Sequence, residues 1–222
     1  MRIYCMSDIH GYIKEMEKSL SLFEKNLNEK NTILLLLGDY IHGPNTKEVL
    51  EKIIYLQDKY GTDKVIPLLG NHEEMALDGR WDLDIHNVED YKLDQYLSWF
   101  SNMPRYYTCG KTIFTHAGID EEAQDLWEWG TDDYVFTEKY PAQLGHFCDD
   151  YCIVAGHIGT SVISGNNNFH DIYFDGKSHY YIDGTVKESR KIPVLMVDTS
   201  ANKYYRVTEN GNWIILPYNE KY

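Results

Sequence analysis

Apolar and polar positions alternate along the chain in two regimes. Up to about Pro104, short apolar runs are separated by segments of helical period. Ile3–Met6, Ile33–Leu37 and Val65–Leu69 are continuous apolar runs, the pattern of strands buried on both faces. Between them, Ile13, Met16, Leu20, Phe23 and Leu27 recur at spacings of three and four and predict one long helix. Asn45 with Glu48 three residues on marks a second helix start, with Val49, Ile53 and Leu56 as its buried stripe. A short helix is expected near Glu73, and another over Tyr91, Leu97 and Phe100. Beyond Pro104 the pattern turns to strands. Thr112–Thr115 and Cys152–Ala155 read as buried strands, and Ile172–Phe174 and Tyr180–Ile182 as a hairpin around Asp175-Gly176. Val194–Val197, Tyr204–Val207 and Trp213–Leu216 complete the set, the last two joined through Asn210-Gly211. Strand–helix alternation followed by strands predicts an α/β sandwich, two sheets face to face with helices outside. Residues 120–150 are acidic and irregular and read as a cap or helical insertion in a single domain spanning 1–222.

Composition narrows the function. The 21 basic and 35 acidic residues give a formal net charge of −14, which disfavours sequence-blind nucleic-acid binding and anionic membranes, since both need a basic face. No segment approaches the roughly 20 apolar residues of a membrane span, and Met1–Met6 is too short for a signal peptide, so a cytoplasmic location is the expectation. Cys5, Cys109, Cys148 and Cys152 form no CxxC pair and read as reduced structural thiols. Nothing in the sequence bears on oligomeric state.

Chemistry concentrates where strands end. Ile3–Met6 runs into Asp8-Ile9-His10-Gly11, Ile33–Leu37 into Gly38-Asp39, and Val65–Leu69 into Gly70-Asn71-His72-Glu73. Thr112–Thr115 runs into His116-Ala117-Gly118, and Cys152–Ala155 into Gly156-His157. Ligands of α/β sheets gather beyond the carboxyl ends of strands, so five such clusters imply one shared site. Its inventory is Asp8, His10, Asp39, Asn71, His116 and His157, with His72 alongside. Carboxylate, amide and imidazole without thiolate suit Mn, Fe or Zn, with Ni or Co also within range. Six ligands exceed one ion's need once water is counted, so two divalent ions are the economical reading. Asp8 and His10, two apart, would share one side of an extended segment. Singly, Asp8 and Asn71 could each be only a helix N-cap. His86, His146, His170 and His179 lack a strand-end position and read as structural.

In this order and spacing the five blocks, with a late Ile182-Asp183-Gly184, resemble the calcineurin-like metallophosphoesterases over roughly residues 3–200, closest to the phosphoprotein phosphatase type of bacteria and phages. The resemblance implies a four-layer α/β/β/α sandwich with a small cap. It implies a first metal held by Asp8, His10 and Asp39, and a second held by bridging Asp39 with Asn71, His116 and His157. A metal-bridging hydroxide would attack phosphorus in line, and His72 would protonate the leaving alkoxide. Asn71 would also touch substrate.

The sequence departs from that pattern where Gly-Asp-x-x-Asp-Arg-Gly becomes Gly38-Asp39-Tyr40-Ile41-His42-Gly43-Pro44. His42 replaces the Asp that pairs with the general acid, and Gly43 replaces a phosphate-gripping Arg. Leu126-Trp127-Glu128-Trp129 puts Trp129 where a second Arg is usual, which makes Trp129 a candidate substrate contact. Arg forks onto a phosphate dianion with parallel charge-assisted bonds. Its place would fall to Arg80 first, because it follows the third block closely, then to Arg105 or Arg190. A neutral His42 in place of a carboxylate predicts a lower pH optimum or slower turnover. The leading expectation is a phosphatase acting on phosphoprotein or small phosphomonoesters. A phosphodiesterase or dinucleoside-polyphosphate hydrolase is the alternative, and a weakly active metal-binding recognition module a further one.

Overall fold

The computed structural model describes residues 1–80, 90–148 and 151–220. Two sheets carry the fold. The first has six strands in the order β11-β10-β9-β1-β2-β3, and the second has five in the order β4-β5-β6-β8-β7. The first comprises β1 (Arg2–Met6), β2 (Thr32–Leu36), β3 (Val65–Pro67), β9 (Leu195–Asp198), β10 (Lys203–Thr208) and β11 (Gly211–Ile214). The second comprises β4 (Tyr106–Cys109), β5 (Thr112–Thr115), β6 (Cys152–Ala155), β7 (Tyr173–Phe174) and β8 (His179–Tyr181). β1, β2 and β3 run parallel, as do β5, β6 and β8, so the two sets of carboxyl ends each lie along one sheet margin.

Side-chain alternation assigns the layers. Ile3 and Cys5 of β1, with Ile33 and Leu35 of β2, meet Phe114, Val154 and Tyr180 between the sheets. The opposite-facing Tyr4, Met6, Leu34 and Leu36 pack under α1 (Ile13–Ser21), α2 (Thr46–Tyr60) and α4 (Asp90–Phe100). On the outer face of the second sheet, Ile113 and Ile153 meet Trp127, Phe136 and Phe147 of the β5–β6 crossover. The central strands β1, β2, β5 and β6 are buried on both faces, which is why they read as apolar runs. The result is the α/β/β/α sandwich. The crossover carries a 3-10 segment (Glu121–Leu126), α5 (Trp127–Gly130) and α6 (Asp133–Glu138) within the acidic stretch singled out above. Among the described residues, no helix is long and apolar enough to cross a membrane.

Two local features differ from the sequence pattern. The first helix stops at Ser21, and Glu24–Asn28 is a separate 3-10 turn. The break lets Phe23 stack on Tyr4 at a centroid distance of 4.4 Å. β4 had no strand signal of its own because Tyr106, Tyr107 and Cys109 are only half-buried, and it forms by antiparallel pairing with β5. The expected helix start holds: Asn45 takes the N-cap position of α2, its carbonyl accepting from Val49 N–H. All four cysteines are free thiols.

Candidate metal centre

The five strand-end clusters converge. Asp8, His10 and their neighbours follow β1, Asp39 follows β2, and Asn71 and His72 open α3 (Asn71–Leu77) after β3. His116 and His157 arrive from the second sheet, behind β5 and β6. Asp39 is the hub. Its Oδ2 lies 3.7 Å from Nε2 of both His10 and His72, and its Oδ1 lies 3.4 Å from His116 Nε2. Asn71 Oδ1 faces His116 Nε2 at 2.9 Å and His157 Nδ1 at 3.1 Å. Asp8 Oδ1 is 4.0 Å from His10 Nε2, and both Asp8 oxygens accept from the His157 N–H. Neither Asp8 nor Asn71 is a helix N-cap: α1 starts behind Tyr12, and Gly70 takes the cap position of α3.

Asp8 and His10 do not meet by extended alternation. Both are left-handed, at φ 53° and 44°, as are Asp39 (60°), His42 (63°) and His157 (63°). Each such non-glycine residue costs about 1–3 kcal/mol, and such strain clusters at functional sites. Sequence spacing carries no trace of it.

Electrostatics follow from burying carboxylates beside imidazoles. Burial pushes the His116 imidazolium down, but Asp39 outweighs it and holds His116 at about 10. Burial also pushes Asp39 up, yet His116 and His10 overcome this and hold it well below the usual carboxylate range. His157 falls to about 4 through burial and its neighbour His116. His72 likewise falls to about 4 through burial, with His10 and His42 adding to the effect against Asp39. Asp183, from the late block, is pushed up to about 8 by burial and by Asp8. Two ligand triads stand out, His10/Asp39/His72 and Asp39/His116/His157, each with its ligand atoms within 4.8 Å of one another. Hard-to-borderline donors gathered around one shared carboxylate fit divalent first-row ions. His72 thus stands as near Asp39 as His10 does, so the geometry also makes it a potential ligand beside its expected acid role.

Glu73 is the residue sequence reasoning left without a role. It is fully buried; Oε2 accepts from Asp39 N–H (2.8 Å) and Gly70 N–H (3.1 Å). Oε1 accepts from Tyr40 N–H (2.8 Å) and Ile41 N–H (3.3 Å). One carboxylate therefore ties the β2 loop that carries Asp39 to the start of α3. Burial and Asp39 push it up to about 7 despite these donors. The only advance signal was its place in the Gly-Asn-His-Glu block.

The substituted positions have their own geometry. His42 Nδ1 meets His72 Nδ1 at 2.5 Å, so an imidazole does stand where a carboxylate was expected. A Cβ at Gly43 would overlap the His10 carbonyl, so this loop conformation admits no arginine there. Arg80 turns its guanidinium to Glu138 (2.8 Å) and Asp78 (3.1 Å). Arg105 is held by Glu74 (2.7 Å) and Asp133 (3.3 Å). Trp127 is buried against Tyr106, whereas Trp129 is 89% exposed. His179 is a buried structural residue paired with carboxylates, as expected.

The family model described as calcineurin-like phosphoesterase matches residues 1–194, and the chain belongs to that family. Its members are metal-dependent phosphoester hydrolases. No curated protein sequence matches the chain. A mutant cold-active protein tyrosine phosphatase superposes with TM-score 0.63 at 16% identity, covering 97% of this chain and 80% of that one. A protein provisionally described as a diadenosine tetraphosphatase gives TM-score 0.66 at 16% identity, covering 93% and 92%. A serine/threonine phosphatase from Saccharomyces cerevisiae gives 0.63 at 14% identity, covering 97% and 79%. At such identities the likeness concerns the fold.

Proposed function

We propose that this chain is a dinuclear metal-dependent phosphatase acting on phosphoprotein or small phosphomonoesters. The carrying observation is the pair of ligand triads sharing Asp39. Asp8, His10 and Asp39 would hold one ion, and Asp39, Asn71, His116 and His157 the other. Mn, Fe or Zn would each suit these donors. When bound, such ions supply a water acidified for attack and Lewis-acid stabilisation of the phosphoryl oxygens.

The remaining work falls to side chains. Asn71 offers its amide to a phosphoryl oxygen. His72 donates a proton to the leaving oxygen from its imidazolium form, which burial keeps a minor population at neutral pH, with His42 fixing its ring through Nδ1. Glu73 keeps Asp39 in register. The 120–150 stretch acts as a cap-like insertion of a single unit, and exposed Trp129 offers a face for the group attached to the phosphate. Arg80, though turned to Glu138, lies on the first turn after α3 and can be recruited by an anion.

One observation favours the diesterase or dinucleoside-polyphosphate alternative. Gly43 excludes a guanidinium from its position and Arg105 is tied to carboxylates, and a diester carries less phosphoryl charge to compensate. Parallel assays with para-nitrophenyl phosphate and bis(para-nitrophenyl) phosphate, after chelator treatment and Mn addition, decide the order. The expected outcome is faster monoester hydrolysis, lost on chelation and restored by Mn. His72→Ala should lower it by about 10²–10⁴-fold. A strong diester preference would reverse the ranking. Activity indifferent to His72→Ala would overturn the enzyme reading as drawn, with His72 as its general acid.

A further inference from the structure

Two consecutive residues of α6 reach both halves of the metal centre. The Phe136 carbonyl accepts from Ala117 N–H at 2.8 Å and from Thr115 Oγ1 at 3.0 Å, the residues on either side of His116. Lys139, just past the helix, donates to the Ile119 carbonyl at 2.6 Å. Thr137, beside Phe136, is fully buried and donates from Oγ1 to Glu74 Oε2. The other Glu74 oxygen is held by Arg105 at 2.7 Å. Glu74 lies on α3 three residues beyond Asn71, about one turn along the same helix face. A second tie joins Arg80, just after α3, to Glu138 at the end of α6, at 2.8 Å.

These bonds matter because Asn71 and His116 come from different sheets. Asn71 follows β3 at the edge of the first sheet, and His116 follows β5 in the second. Their side chains face each other, His116 Nε2 to Asn71 Oδ1, at 2.9 Å. Such a pair keeps its spacing when both backbones are fixed to a common element, and α6 is one, gripping the His116 loop by a carbonyl and α3 by a hydroxyl. A hydroxyl bonded to a buried carboxylate makes a charge-assisted bond, stronger than a neutral one. Arg105 supplies the counter-charge that a buried carboxylate needs, which leaves Thr137 as the positional constraint. The hydrogen bonds of Asp8 and His10 run instead to Gly38, Asp39, Ile41 and His157.

We infer that α6 clamps the Asn71–His116 pair, and that Thr137, acting through Glu74, is a positioning residue for the ion these two side chains would share. The inference rests on the dinuclear reading of the site and deepens it, because the crossover helix then belongs to the frame of the metal centre. The ion assigned to Asp8 and His10 should be indifferent to Thr137.

Hydrogen exchange on the full chain without added metal, together with calorimetric titration with Mn, tests this. Thr137→Val removes the hydroxyl at nearly constant volume, Thr137→Ser keeps it, and Glu74→Gln weakens the same bond from the other side. Thr137→Val and Glu74→Gln should each speed amide exchange about tenfold over residues 71–77 and 115–118, with β1 and the loop after it at the wild-type rate. Each should weaken one of two Mn ions about tenfold and leave the other within about twofold. Thr137→Ser should restore both readouts. Faster exchange confined to α6, unchanged Mn affinity, or equal weakening of both ions overturns the clamp and leaves the Mn-dependent hydrolase reading in place. A wild type that takes up no Mn and hydrolyses no phosphoester overturns that reading, while coupled exchange over 71–77 and 115–118 in the same protein still supports the clamp.

Discussion

The buried His179 gives a prediction that can be carried to a number. Its Nε2 lies 2.9 Å from Glu121 of the β5–β6 crossover, and its Nδ1 lies 3.2 Å from Asp175 of the β7–β8 turn and 3.1 Å from the Gly145 carbonyl. The ring thus fastens the crossover to the second sheet. Burial pushes its pKa down, but Asp175 and Glu121 outweigh burial and hold it at about 9. Asp175 is held at about 2, where burial is overcome by His179 and by backbone N–H groups of Gly145, His179 and Lys177. In the unfolded chain the imidazole titrates near 6.5. The folded value is raised, so the stabilisation is complete below about pH 6.5 and is lost as pH rises through about 9. A shift of about 2.5 units corresponds to about 3 kcal/mol at most, most of it still present at pH 7 and under about 1 kcal/mol left at pH 9. His179→Gln removes the charge and keeps a polar side chain. It should lower the melting temperature by about 5–10 °C at pH 6–7, with the gap to wild type narrowing to a few degrees by pH 9. Thermal melts followed by circular dichroism at pH 6, 7, 8 and 9 measure this directly. A gap that stays constant or widens over that range would refute a charged His179 clamp.

Two further outcomes are expected. Glu73→Gln leaves one oxygen for four backbone donors and turns an amide N–H₂ onto two of them. It should cost about 2–4 kcal/mol in urea unfolding and weaken Mn binding, and an unchanged midpoint would show that the Asp39 loop does not depend on it. His42→Asp sets a carboxylate against His72 Nδ1 in place of an imidazole, which favours the His72 imidazolium. The pH–rate profile should extend to higher pH, because the acid stays protonated longer; superimposable profiles would deny any coupling between positions 42 and 72.

The sequence by itself picked out the strand-end residues that the fold gathers into one cluster. Strand ends are local features: an apolar run followed by Gly-Asp, Gly-Asn-His or His-Ala-Gly can be read without knowing what lies opposite. Burial on both faces left its mark in the same way, as continuous apolar runs for β1, β2, β5 and β6. Tertiary structure decided how those ends meet. Placing Asp39 between His10, His72 and His116 requires β1, β2 and β3 in parallel register and a second sheet stacked across them, contacts separated by up to about 150 residues. The left-handed backbone at Asp8, His10, Asp39, His42 and His157 has no signature in side chains that ordinarily avoid it. Nor could the sequence show that Glu73 would face inward to collect four N–H groups, or that Gly43 would lie against the His10 carbonyl. It also could not show which partners the arginines would find. Arg80 and Arg105 are captured by partners 58 and 31 residues away, while Arg190 lies over the Tyr12 ring with Glu15 at 3.8 Å. Which side chains are candidates is inherited from local pattern; how they meet, and which carboxylate each arginine finds, are properties of the packed chain.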